Sequence, residues 1–284
     1  MPVAEKKLTV DQLKQKARVL REHIIRMTTE AGSGHPSSSL SATEVVTALF
    51  FGGFMKYDPA NPKWDDRDRF ILSKGHACPV LYAAMAEAGY FPVEELMTLR
   101  KLGARLEGHP NYKRVPGIEA STGSLGQGLS IGLGQALACK LDGRNCRTFV
   151  MTGDGEMGEG QIWEAIASAE KYKTANLTLI VDQNGYQQTG STKEVLDLTP
   201  FGDKIAAFGW HVQTIEGNDM QAVVSALETA VKVTDRPTAI VSKTKKGFGI
   251  LPVLEAEGDT NYHGKPLPPK VAEKALAFLA SSPV

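Results

Sequence analysis

Thr152-Gly153-Asp154-Gly155-Glu156-Met157-Gly158-Glu159-Gly160, with the run that continues to Asp182-Gln183-Asn184-Gly185-Tyr186, is the stretch that decides the fold. Ahead of it, Arg147 to Met151 reads as a strand running straight into glycines, which let the backbone turn tightly with no β-carbon in a ligand's way. Glu159 to Tyr172 reads as a helix, apolar at Ile162, Trp163, Ile166, Ala169 and Tyr172, and Leu177 to Val181 is a second apolar β-run. A βαβ unit makes the two strands parallel. Asp154 and Asn184 are then expected at the same sheet edge, where open α/β sheets bind ligands.

The residue types at that edge point to a chemistry. One carboxylate, one amide oxygen and a backbone carbonyl just after the second strand offer three hard oxygen donors. They are too few to enclose Mg²⁺ alone, but suit an ion that completes its octahedron with phosphate oxygens and water. The pattern calls for a diphosphate. Taken singly, Asp-Gly and Asn-Gly are also ordinary turn dipeptides.

The rest of the chain repeats the alternation. Phe70-Ile71-Leu72, Trp210 to Ile215 and Thr238 to Lys243 read as strands; Pro79 to Ala88, Phe201 to Phe208, Met220 to Val233 and Pro268 to Ala280 read as helices. Thr9-Val10-Asp11-Gln12 has the form of a capping box, opening an amphipathic helix that ends near Ala31-Gly32. Further helices are expected from Ser41 to the stop at Gly52-Gly53, and over Pro92 to Leu102. Across 284 residues no interdomain linker stands out, so the expectation is one α/β domain, a parallel sheet flanked by helices. From Gly126 to Ala138 a helix carries a small residue at every second position: Gly126, Gly128, Ser130, Gly132, Gly134, Ala136 and Ala138. Each glycine there costs about 1 kcal/mol relative to alanine. Close approach of a backbone or a flat ligand ring, or tight helix packing, accounts for that cost.

Four histidines fall on loops. His35 lies in the loop Gly32 to Ser39, His76 follows the strand Phe70 to Leu72, His109 sits within Gly103 to Gly117, and His263 follows the loop Gly247 to Tyr262. Loop histidines are functional candidates. His23, inside the first helix with no motif around it, reads as solvated or partner-facing.

Net charge is zero and the sequence pI is near 7.0, so no global field draws the chain to nucleic acid or to an acidic membrane. Lys243-Thr244-Lys245-Lys246 reads as a solvated face or a small anion site. Cys78, Cys139 and Cys146 are odd in number and fit no metal spacing, which predicts reduced thiols in a cytoplasmic protein. Met1 to Lys7 has no apolar core of the kind a secretory signal carries. No run approaches the roughly 20 apolar residues of a membrane span. The strands also lack a Gly-x-Gly-x-x-Gly turn, which counts against a nicotinamide enzyme.

Gly153-Asp154-Gly155 followed after 30 residues by Asn184 resembles the thiamine diphosphate fingerprint. Gly-Asp-Gly-x-x-x-Glu-Gly with Asp-x-Asn-Gly narrows the resemblance to the transketolase family. Ser33-Gly34-His35-Pro36, Arg67 to His76, Gly108-His109-Pro110, Thr122 to Gly128, Gly209 to Val212 and His263-Gly264 are similar to transketolase motifs in the same order, from about Leu20 to Leu267. The resemblance implies thiamine diphosphate and Mg²⁺, with Asp154, Asn184 and the backbone carbonyl of Tyr186 as metal ligands, in the turn that Gly153 and Gly155 frame. It implies that His76 and His263 meet the diphosphate and face the substrate, while His35 and His109 bind donor hydroxyls and shuttle protons, a role suited to side chains titrating near neutrality. Gly123, Ser124 and Leu125 match the loop that holds the aminopyrimidine, where the family usually has proline at the position of Ser124. Glu159 matches the glutamate that pairs with the catalytic glutamate of a facing chain.

That catalytic glutamate belongs, in transketolases, to a pyrimidine-binding domain beyond the matched region, as do the arginines that bind the sugar phosphate. The expectation is therefore the amino-terminal half of a split transketolase. Residues 1–284 form the diphosphate-binding domain, with a partner chain carrying the pyrimidine-binding and C-terminal domains in an α2β2 assembly. The expected reaction moves a two-carbon ketol unit between sugar phosphates. The alternatives are a non-catalytic or regulatory cofactor-binding half, and ketol transfer on an unusual sugar.

Overall fold

The computed structural model describes residues 7–281. Of the opening stretch read as no secretory signal, all but Lys7 lies outside those residues. Five parallel strands form one sheet in the order β1-β2-β3-β5-β4, where β1 is Arg69–Leu72, β2 Thr148–Gly153, β3 Leu177–Gln183, β4 His211–Glu216 and β5 Thr238–Lys243. The helices are α1 (Val10–Glu30), α2 (Pro36–Ser41), α3 (Thr43–Phe51), α4 (Cys78–Glu87), α5 (Gln127–Leu141), α6 (Gly160–Lys171), α7 (Thr192–Val195), α8 (Phe201–Ala207), α9 (Met220–Ala230), α10 (Leu251–Ala256) and α11 (Pro269–Ser281).

Both sheet faces are buried, which is why the central strands read as continuous apolar runs. Phe70, Leu72, Phe149, Met151, Ile180 and Ile240 point to the face covered by α1, α3, α4, α9 and α11. Ile71, Val150, Leu179, Val181 and Val241 point to the face covered by α5, α6 and α8. The period-2 alternation thus serves two cores at once. Register pairs Gly153 with Asp182 and Gln183 with Lys243, so β2, β3 and β5 end level and discharge their loops at one edge.

Local signals account for several differences from the sequence reading. The loop expected over Gly32 to Ser39 becomes helical from Pro36, whose fixed φ suits a first helical position. Within the loop expected over Gly247 to Tyr262, Pro252 starts α10 in the same way. Pro92 to Leu102 forms only a 3₁₀ segment, Val93–Thr98. His23 is half-buried, its Nε2 2.8 Å from Glu87 Oε1, rather than solvated. The three free thiols expected are also corrected: Cys139 and Cys146 form a disulfide, their Cα atoms 6.2 Å apart, and Cys78 alone is free and buried. The chain turns at Gly143 after α5 and returns towards β2, which brings the two sulfurs together.

The glycines of α5 divide by face. A β-carbon on Gly132 would come within 2.3 Å of Val150 Cγ2, and one on Gly128 within 2.3 Å of Ser73 Oγ, whereas one on Gly134 meets nothing within 4 Å. Packing against the sheet therefore explains the first two. Gly132→Ala should destabilise by about 1–3 kcal/mol through overpacking, while Gly134→Ala should stabilise by about 0.5–1 kcal/mol through helix propensity. Urea unfolding of the pair checks both signs, and equal effects would show that the helix does not lie on β2 by that face.

Candidate active-site cleft

The level strand ends open onto a cleft of about 660 Å³, lined among others by His35, His76, His109, Asp154, Asn184, Lys246 and His263. Asp154 follows β2 and Asn184 follows β3, as the βαβ reading expected. Asp154 is 3% exposed; its Oδ1 accepts from Gly155 N at 2.9 Å and its Oδ2 from Gly185 N at 2.6 Å. Burial and the nearby Asp182 charge push its carboxyl up to about 6. A buried carboxylate so disfavoured stands to gain from a cation.

Asp182, inside the sheet edge, organises these groups. Its carboxylate receives Ser41 Oγ at 2.7 Å, Thr244 Oγ1 at 2.5 Å, Asn184 Nδ2 at 3.1 Å and the ammonium of Lys74, while its carbonyl accepts from Asp154 N at 3.1 Å. Because the Asn184 amide nitrogen is committed to Asp182, its Oδ1 is left as the acceptor, here meeting Tyr186 N at 3.1 Å. Burial alone would raise the Asp182 carboxyl, but the Lys74 charge and these hydrogen bonds outweigh it, and the group titrates below its ordinary value. Glu156 braces the neighbouring turn, accepting from Gly126 N at 2.9 Å, Gly153 N at 3.1 Å and the Ser73 hydroxyl.

Across the cleft, His35, His76 and His263 form a compact triangle with ring centroids 4.8–5.2 Å apart. His109 stands further out and is exposed. Titration near neutrality, expected for the proton-shuttling histidines, is corrected for His35. Burial, helped by the charges of His263 and Arg100, holds His35 down to about 3; burial with Lys246 holds His263 down to about 4, and His76 and His109 are also lowered. All four are therefore neutral hydrogen-bonding groups at pH 7. Lys246 Nζ lies 3.3 Å from His263 Nδ1. Since an ammonium only donates, Nδ1 is the acceptor and Nε2 carries the proton. Nδ1 of His35 is buried with no partner among the described residues.

Of the other expected residues, Gly123, Leu125, Gly153, Gly155, Glu159 and Tyr186 line the cleft, whereas Ser124 is exposed and does not. Gly123 has φ 150°, and a β-carbon there would come within 3.0 Å of His109 Cδ2. Lys74, Asp182, Glu156 and Lys246 were not singled out by sequence as site residues. Lys246 was read within a solvated face or small anion site; it is 4% exposed, and burial with the Lys74 charge lowers its ammonium to about 8. The only sequence signal for Lys74 and Asp182 was their place inside Ser-Lys-Gly-His and Asp-Gln-Asn-Gly. Among the described residues no cluster of three or more His, Cys, Asp or Glu could hold a metal by itself.

A parallel sheet with paired aspartate and asparagine turns at its carboxyl edge defines a diphosphate-binding α/β domain, and comparison with known proteins specifies which. The family profile for the transketolase thiamine diphosphate binding domain matches residues 11–278. Human transketolase-like protein 2 is 43% identical over 96% of this chain and 43% of its own length. A 6-deoxy-6-sulfo-D-fructose transketolase subunit, SqwG, from Clostridium sp. (strain MSTE9) is 42% identical over 94% of this chain and 96% of its own. Among solved structures, transketolase from Campylobacter jejuni superposes with a TM-score of 0.88 at 31% identity, over 96% of this chain and 43% of that one. This chain belongs to the transketolase family. It spans less than half the length of transketolase-like protein 2 and nearly the whole of the Clostridium subunit.

Proposed function

We propose that the chain is the diphosphate-binding subunit of a two-chain transketolase, moving a two-carbon ketol unit from a ketose phosphate donor to an aldose phosphate acceptor. The observation that carries this reading is the convergence, on one cleft, of Asp154 and Asn184 with the four histidines His35, His76, His109 and His263. The donor set fits a hard cation. Asp154, Asn184 and the Tyr186 carbonyl would hold Mg²⁺, with Ca²⁺ or Mn²⁺ as substitutes, against the diphosphate. The unpartnered, buried Nδ1 of His35 is a group awaiting a ligand.

Bound thiamine diphosphate supplies a carbon nucleophile for the donor carbonyl. The protein's own groups do the rest. Lys246 and His76 add positive and hydrogen-bonding character beside the phosphates, His263 offers Nε2–H, and His35 and His109 bind donor hydroxyls as neutral rings. Gly123 and Leu125 would flank the aminopyrimidine, with Ser124 on the exposed side of that loop, and Glu159 would meet the catalytic glutamate of the partner, which carries the pyrimidine-binding half. Two-fold closure makes the assembly α2β2. That the Clostridium relative is named as a transketolase subunit supports a partner. That relative's name also favours a second reading, in which the donor is a sulfosugar whose anion takes the place of the phosphate.

The test is turnover by this chain alone and after mixing with its partner, with cofactor, Mg²⁺ and a panel of ketose phosphates and 6-sulfo ketoses. Activity should appear only on mixing, and sustained transfer by the isolated chain would overturn the two-chain reading. Saturable cofactor binding by the complex without any turnover would instead establish the non-catalytic alternative. In the active complex, His35→Ala and His109→Ala should lower kcat/KM far more than cofactor affinity. Equal losses in both would make these histidines structural.

A further inference from the structure

Arg100 sits outside the cleft in a conformation that costs it energy. It follows the 3₁₀ segment Val93–Thr98 with φ 59°, in the left-handed region where a β-carbon crowds the backbone and where glycine or asparagine is the usual occupant. Its N–H donates to the Leu106 carbonyl at 2.8 Å, closing the turn. A glycine would close that turn without strain, so the backbone gives no reason for an arginine. The side chain gives one. Arg100 Nη1 donates to Ser33 Oγ at 3.0 Å and Nη2 donates to the Gly108 carbonyl at 3.3 Å.

Those two partners belong to different loops. Ser33 lies two residues before His35, and Gly108 immediately precedes His109. The guanidinium lies close over Gly108: a β-carbon there would come within 2.7 Å of Arg100 Cζ and would push the fork aside. The His109 loop is also anchored to the core: Tyr82 Oη lies 3.0 Å from both the Glu107 and the His109 carbonyls and shares its one proton between them, and Cys78 Sγ lies 3.2 Å from the Gly108 carbonyl. The His35 loop turns through Gly32 at φ 59° and Gly34 at φ 135° before α2 begins. One loop is thus anchored and the other glycine-hinged, with a rigid planar fork between them. A planar fork, unlike a point charge, can hold both partners at once.

We propose that Arg100 is the positioning residue that ties the hinged His35 loop to the anchored His109 loop and so fixes the separation of the two histidines. The inference rests on the reading above that these histidines face the sugar. Strain retained at a non-glycine residue is the mark expected of such a brace.

The experiment compares Arg100→Gly, Arg100→Lys and Ser33→Ala in the complex with the partner chain. Arg100→Gly should keep cofactor affinity and keep or raise the thermal midpoint, because glycine relieves the strain, while kcat/KM falls by roughly 10- to 100-fold, as misplaced catalytic groups cost. Arg100→Lys, a point charge without the fork, should recover little, and Ser33→Ala should reproduce part of the loss. The loss should be the same for a phosphorylated and an unphosphorylated ketose donor. Hydrogen exchange on the chain alone should quicken over residues 32–35 in Arg100→Gly, a readout that needs no turnover. If the wild-type complex proves inactive, the functional reading fails and the exchange measurement alone decides the brace. Wild-type exchange in these residues would overturn the proposal. So would a loss confined to phosphorylated donors, which would make Arg100 an anion-binding group, or a thermal midpoint that falls in step with activity, which would make it merely structural.

Discussion

Asp154→Ala should abolish metal-dependent cofactor binding in the partnered complex while leaving the unliganded chain as stable as wild type or nearly so. Partners of metal ligands one step removed are worth roughly 10–100-fold in affinity, and Asp154 would be a ligand that also brings the site's charge, so a loss of at least about 100-fold is expected. Stability should hold because burial and the Asp182 charge already disfavour the ionised Asp154 in the empty cleft. Alanine removes that penalty at the cost of two backbone acceptors, those for Gly155 and Gly185. The same raised carboxyl sets a pH dependence. Below about 6 the group holds a proton in the unliganded chain, and the cation must displace it, so affinity should fall by about tenfold per pH unit below that point and level off above it. Calorimetric titration with Mg²⁺ and cofactor between pH 5 and 8 reads both effects. Unchanged affinity in Asp154→Ala, or a pH-independent wild type, would remove Asp154 from the metal site.

The second large effect is expected at Lys74, whose ammonium is 1% exposed and paired with the wholly buried Asp182. Lys74→Met keeps most of the side-chain volume but leaves a carboxylate in the sheet edge without its counter-ion. Breaking a buried pair on one side costs about 3–5 kcal/mol, because the remaining charge stays desolvated. Ser41, Thr244 and Asn184 still donate to Asp182 and place the expectation at the lower end of that range. The double change Lys74→Met with Asp182→Leu should recover much of the stability, since an apolar pair of similar volume needs no compensation. It should not recover cofactor affinity, because Asn184 would lose the acceptor that orients its amide. Chemical denaturation of the three variants with a cofactor titration separates the two quantities. A double variant that regained both would show that Asp182 has no part in orienting Asn184.

Much of this protein follows from local sequence. The apolar runs around Phe149 and Leu179 and the glycine turns after them fix two parallel strands with Asp154 and Asn184 at one edge, because strand period and turn chemistry are encoded within a few residues and a βαβ crossover has one hand. The loop positions of His35, His76, His109 and His263 are legible for the same reason. What periodicity does not encode is which distant groups meet. His35, His76 and His263 form a triangle only when α2, β1 and the segment after α10 converge, and that burial, absent from any local pattern, pushes their titration far below neutrality. Nothing in the local pattern marks Lys74 and Lys246 as buried, yet both are, the one paired with Asp182 and the other in the cleft wall. The pairing of Cys139 with Cys146 and the span of Arg100 between two loops likewise depend on how the chain returns on itself. The strands, their direction and the edge at which the chemistry gathers are thus readable residue by residue, since they rest on local geometry. The protonation of the histidines, the pairing of Lys74 and the bracing of the loops emerge on folding, since they rest on desolvation and on contacts between segments far apart in the chain.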